Sequence, residues 1–229
     1  MPRTARASYG GVCYHAMNRA NERARVFRDR EDYQFFVALI ARACKKVAMR
    51  VLAYCLMPSH FHFSLWPYND GDMGRWMHWL LTTHVQYHRQ RWGGTGHVWQ
   101  GRFKAFPAQD DAHLLAILRY IERNPLRANL VSRAEEWQWS SLYWWGKTTR
   151  PAFLCEGPIN RPKDWQDWVN SPQTVEEVAA IRCCIERGRP FGEKAWVARM
   201  AKELGLESSL RACDRPKKRG HSDFPDLLS

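Results

Sequence analysis

The sequence predicts an α+β fold, and three observations carry that expectation. Apolar residues switch between a period of two and a period of 3.6 along the chain, in the order strand, helix, hairpin, helix, strand, helix. Two strand-like runs, Val51 to Met57 and His60 to Trp66, are separated only by the turn residues Pro58 and Ser59, so they read as a hairpin. The chain has 229 residues, 45% of them hydrophobic and 13% aromatic, enough for one core or a core domain with an appendage.

Val12 to Arg19 is the first strand, with Cys13, His15, Met17 and Arg19 on one face and Val12, Tyr14, Ala16 and Asn18 on the other. His15 reads as a strand residue first and as a ligand or phosphate contact second. A charged loop follows. Asp29 then caps an amphipathic helix over roughly 30–48, where Tyr33, Phe36, Val37, Ile40, Cys44 and Val47 keep the period. In the hairpin, Phe61, Phe63 and Leu65 share one face of the second strand, and His60, His62, Ser64 and Trp66 share the other. A second helix fits 72–90. It carries His78, His84 and His88, which read as packing or surface residues because no acid or thiol accompanies them. The stretch 97–106 alternates aromatic and basic residues and is expected to be a strand that contacts nucleic acid through Arg102 and Lys104. Asp110 or Asp111 caps a third helix that runs to about Arg123, with Leu114, Ile117, Leu118 and Ile121 as its stripe. His113, Tyr120 and Asn124 fall within about 40° of one another at the edge of that stripe, and Pro125 ends the helix.

Beyond Arg127 the character changes. Trp137, Trp139, Tyr143, Trp144 and Trp145 crowd a stretch that closes the core as a last strand or turn. Thr174 to Glu177 is a capping box opening a helix over 174–187, and another helix fits 193–204, stopped by Gly205. The expected organisation is a domain over 8–146, a mostly helical extension over 147–212, and a basic, disordered tail over 213–229.

The formal charge of +12 points to a polyanionic partner, most simply nucleic acid. No apolar run is long enough to span a membrane, and Met1 to Arg6 lacks the apolar segment of a secretory signal. Seven scattered cysteines without a C-x-x-C pair fit a reducing cytoplasm and argue against both a disulfide framework and a four-thiolate zinc site. Two histidines at i and i+2 on a strand are able to share a metal. With an oxygen donor as third ligand, the set would suit magnesium or manganese. Strand histidines without a metal are the common alternative, and a tyrosine at the edge of a core stripe is ordinarily a packing residue.

Met57-Pro58-Ser59-His60-Phe61-His62 resembles the His-hydrophobic-His strand of the HUH nucleases. Arg119-Tyr120-Ile121-Glu122-Arg123-Asn124-Pro125-Leu126-Arg127-Ala128 resembles the tyrosine helix of their single-tyrosine transposase branch. Gly101-Arg102-Phe103-Lys104 and Trp139-Ser140-Ser141 also look like that branch, and the order and spacing are closest to the REP-associated tyrosine transposases. The resemblance covers roughly 8–146. Two positions depart from the common pattern of the branch. Position 59 is serine where asparagine is common, and position 124 is asparagine, as in the REP-associated group, where the insertion-sequence branch has glutamine.

That resemblance implies a ferredoxin- or RRM-like antiparallel sheet with helices on one face, and an open face that takes DNA. It makes His60 and His62 metal ligands with Asn124 as the third, Mg²⁺ or Mn²⁺ the cofactor, and Tyr120 the nucleophile. Arg102, Lys104, Arg119, Arg123 and Arg127 would line the DNA path. The expected activity is cleavage and rejoining of single-stranded or hairpin DNA at palindromic repeats through a 5′-phosphotyrosine, by a monomer or homodimer in the bacterial cytoplasm at the nucleoid. A phenol with a pKa near 10 needs activation, and His113 is a candidate base. A non-catalytic nucleic-acid-binding module and a hydrolytic metal nuclease are the competing readings.

Overall fold

A computed structural model describes residues 8–211. The tail expected over 213–229 lies outside the described residues. The first six elements are β1 (Cys13–Arg19), α1 (Arg30–Lys46), β2 (Met49–Met57), β3 (His60–Pro67), α2 (Asp72–Trp92) and β4 (Lys104–Ala108). They make a ferredoxin-like βαββαβ unit whose four strands lie in the order β2-β3-β1-β4, every pair antiparallel. The hairpin turn is the expected one, with Met57 opposite His60 across Pro58 and Ser59. Asp29 caps α1 by accepting from the Asp32 amide at 3.1 Å.

Strand alternation splits the interior into two cores. Phe61, Phe63 and Leu65 of β3 join Tyr14 and Ala16 of β1 against α1 and α2, where Phe36, Leu39, Ile40, Trp76 and Leu80 are buried. His84 of α2 is buried in this core among Phe27, Phe36 and Trp99, so it is a packing residue.

The opposite face, expected to be open, is covered. Among the described residues six α-helices follow the sheet: α3 (Ala112–Glu122), α4 (Asn124–Arg127), α5 (Leu142–Trp145), α6 (Trp165–Asn170), α7 (Val175–Arg187) and α8 (Lys194–Glu203). Leu114, Ile117, Leu118, Tyr120 and Ile121 of α3 pack on Cys13, Met17, Cys55, Met57 and Phe106. Trp165 and Val169 of α6, and Ile181, Cys184 and Ile185 of α7, enter the same core. The physical reason is that α3 is apolar on nearly all sides. A helix of that kind is stable only when sandwiched, and the chain after 150 supplies its outer cover. The capping box of α7 is formed, with Thr174 and Glu177 bonding each other's amides at 3.1 and 2.8 Å.

The stretch 97–106 also departs from expectation. Only its end joins β4. Val98 and Gln100 instead pair with the end of β1 and the chain just past it (Asn21 N to Val98 O and Gln100 N to Arg19 O, both 2.9 Å), and Trp99 is buried against Phe61. Gly101 makes the turn back to the sheet at φ 136°, a conformation closed to residues with a side chain.

Candidate active site

β3 and β1 are the two inner strands, so the side chains they project are held by hydrogen-bonded ladders on both sides. Register sets His60 opposite Arg19, and His62 opposite Met17 on one side and Cys55 on the other. His60 Nδ1 lies 3.2 Å from Ser59 Oγ, and His62 Nδ1 lies 3.0 Å from Nε2 of His15, with the two rings stacked. When each Nδ1–H donates to its neighbour, Nε2 keeps its lone pair. His60 Nε2 is buried and has no protein partner. His15 is therefore neither a surface contact nor a phosphate contact: it is fully buried and orients His62.

Tyr120 comes to the same place from α3. Its ring sits edge-on to His62 at 5.9 Å and to His15 at 6.2 Å, and it is buried. The Arg127 guanidinium covers the ring at 4.5 Å from α4, seven residues and so about two helical turns beyond Tyr120. His60, His62 and Tyr120 line one cavity of about 20 Å³, the space of a single water, together with Met17, Arg19, Arg182 and Ile185.

The other expected site residues are placed differently. Asn124 is buried on α4 and turns its amide back onto the last turn of α3, donating to Tyr120 O at 2.9 Å and Ile121 O at 3.3 Å, while its Oδ1 accepts from Arg127 at 3.3 Å. It does not line the cavity of the two histidines. Arg119 and Arg123, expected on DNA, are committed within the protein. Arg119 donates to the carbonyls of Trp168, Ser171 and Pro172 at 2.8 to 3.0 Å, and Arg123 to those of Val169 and Asn170. These carbonyls end α6 and begin the loop after it, so guanidinium donors fill the role a cap would have. His113, the candidate base, does not line this cavity: it bonds Asp111 at 2.7 Å and packs against Phe191. Arg102 and Lys104 are exposed where β4 begins, and Lys104 stands opposite Met17, on the histidine face at its rim.

Two of the site's cations were not anticipated. Arg19 was readable, because it shares strand parity with His15 and Met17. Arg182 was not: Val178, Ile181 and Ile185 mark the buried face of α7, but nothing in that stripe says that it meets the histidine face of the sheet.

Two strand imidazoles, one with an orphaned buried nitrogen, fit a divalent cation that completes its shell with oxygen donors. Burial also keeps these rings neutral, as ligation requires. It pushes His15 and His60 each down to about 3, as it does His84 in the other core, and holds His62 well below the ordinary value, with His15 and His60 adding repulsion. Because the folded values lie below the unfolded value near 6.5, the unfolded chain binds the extra protons. Stability is whole above about pH 6.5 and falls as pH drops towards 3. For each such histidine the loss at pH 5 is roughly 2 kcal/mol. Thermal melts at pH 7, 6 and 5 are expected to show a steep decline, with a shallower one in His84→Phe.

The chain is similar to several known proteins. The family model described as "Transposase IS200 like" matches residues 8–124. A Haemophilus influenzae protein that carries the name REP-associated tyrosine transposase is 26% identical over 119 residues, covering 47% of this chain and 67% of that protein. Among solved structures, a REP-associated tyrosine transposase bound to a REP hairpin aligns with TM-score 0.48 and 20% identity, over 67% of this chain and 97% of the other. A Deinococcus radiodurans protein carrying the name transposase aligns with TM-score 0.32 and 16% identity, over 52% and 95%.

Proposed function

The chain belongs to the IS200-like transposase family, and from that premise we propose that it cleaves and rejoins single-stranded DNA through Tyr120 at palindromic, REP-type repeats. The observation that supports this most is the shared cavity, into which a strand-borne histidine pair and a helix-borne tyrosine both project. The REP-type target rests on the name of the Haemophilus relative and on the motif resemblance.

In this reading His60 and His62 hold a magnesium or manganese ion. When bound, that ion supplies charge to polarise the scissile phosphate. Tyr120 Oη attacks phosphorus, forming the Oη–P bond while the P–O3′ bond breaks, and the leaving oxygen takes up a proton to become a free 3′-hydroxyl. The product is a 5′-phosphotyrosine that conserves the energy of the original linkage, so attack by a 3′-hydroxyl reseals a strand without ATP. Arg127, stacked on the phenol ring, fixes its direction. Asn124 acts by holding the last turn of α3, on which Tyr120 sits, rather than as a ligand in this conformation. Arg102 and Lys104 meet the strand at the rim. Among the described residues no helix is long and apolar enough to cross a membrane.

The test is incubation of the full chain with end-labelled single-stranded oligonucleotides carrying foldback repeats, with Mn²⁺ and then with Mg²⁺. A labelled adduct that survives denaturing electrophoresis is expected. Cleavage without an adduct would assign the attack to water, and binding without cleavage in either metal would leave a DNA-binding module.

A further inference from the structure

The cavity beside Tyr120 has a charge imbalance that the proposed chemistry does not use. Arg19 and Arg182 line it, and Arg127 lies over the same phenol ring. Among the described residues none of the three forms an ion pair. Arg127 bonds only the neutral side chains of Asn124 and Gln173. Arg182 Nε is buried with no hydrogen-bond partner. Like charges gathered around a void, with an orphaned donor among them, are unfavourable unless an anion completes the set.

We infer that Arg182, with Arg19 and Arg127, forms the binding site for the phosphodiester that Tyr120 attacks, so that the C-terminal extension supplies a catalytic residue from outside the matched region 8–124. This rests on the function proposed above.

Two features argue against α7 as a mere plug. A plug that mimicked substrate would offer these arginines an acid, yet Glu176, Glu177 and Glu186 are absent from the lining and a further cation is present. And Ile181, Cys184 and Ile185 of α7 are buried in the same core as α3, so the helix is built in rather than laid over the site. At about 20 Å³ the present cavity has room for a water and not for a phosphate. The long side chains of Arg19 and Arg182 are the parts able to swing and make room. Burial, together with repulsion from Arg182 and Arg123, pushes Arg127 down to about 10, which is the direction expected of cations held close without a counter-ion.

The test uses the full chain with Arg182→Ala and Arg182→Lys. The first measurement is the rise in melting temperature on adding inorganic phosphate at fixed ionic strength. Wild type is expected to gain, Arg182→Ala to lose at least half of the gain, and Arg182→Lys to keep most of it. Equal gains in wild type and Arg182→Ala, or no gain in either, would overturn the site. The second is the rate of adduct formation on the foldback oligonucleotide. Arg182→Ala is expected to lower it about 10²-fold, at saturating DNA as well as below it, with partial rescue by lysine. An unchanged or faster rate in Arg182→Ala would overturn the inference and make α7 a block. Absence of any adduct in wild type would sink the proposed function alone, and the phosphate melts would then decide the anion site.

Discussion

Replacing Tyr120 by phenylalanine is expected to remove the covalent protein–DNA adduct by about 10⁴-fold or more, the scale seen when an enzyme loses its nucleophile, while the protein still folds and binds DNA. The hydroxyl has no hydrogen-bond partner among the described residues, so the core is not asked to absorb an orphan. The ring contacts with His62, His15 and Arg127 survive the change. Stability should therefore stay within about 0.5 kcal/mol of wild type. The denaturing-gel adduct and a melt, run on the same preparation, check both halves. Cleavage that persists at the wild-type rate in Tyr120→Phe would exclude the tyrosine mechanism.

The second large effect is on stability. Glu122, two residues beyond Tyr120, is fully buried. It accepts from Ser141 Oγ at 2.6 Å, Trp145 Nε1 at 3.0 Å and Trp165 Nε1 at 2.6 Å, and lies 3.7 Å from the Arg161 guanidinium. This one carboxylate ties α3 to α5, α6 and the loop between them. Glu122→Ala would leave Arg161 buried, though still bonded to the Leu52 carbonyl at 2.7 Å, and would leave two indole donors unpaired. The expected cost is about 3 to 5 kcal/mol, or roughly 6 to 20 °C in melting temperature for a chain of this size. Limited proteolysis should then cut first within 150–172. Combining Glu122→Gln with Arg161→Met removes both charges together and is expected to recover much of the loss. A melt of Glu122→Ala within 2 °C of wild type would refute the account.

How much of this was legible in the sequence differs between the two faces of the sheet. The histidine strand, its hairpin and the Asp29 and Thr174 caps could be read because each depends on neighbours two to four residues away. The convergence of Tyr120 with His60 was suggested by motif order and is supported by the shared cavity. What escaped depended on partners far along the chain. Arg119 and Arg123 look like DNA contacts in a basic helix, and only the carbonyls of 168–172 reveal their employment. The covered face was hinted at by Leu115 and Ala116, which leave α3 apolar beyond its own stripe, but that pattern does not say which segment supplies the cover. Asn124 lay at the right helical angle to join the histidines. Its short amide found the carbonyls one turn back instead, a local bond that asparagine makes readily at a helix end.

The clasp of Arg119 and Arg123 on the carbonyls of 168–172 has a consequence for how the protein comes into being. A chain emerging from the ribosome presents both histidines and the tyrosine long before those carbonyls exist. Until roughly fifty further residues have followed α3, the tyrosine helix is an apolar segment with two unanswered guanidiniums and no outer wall. Translation order thus leaves the cavity of the histidines and the tyrosine without its outer wall on incomplete chains, and prematurely terminated products carry every residue of the motif without the scaffold that holds it.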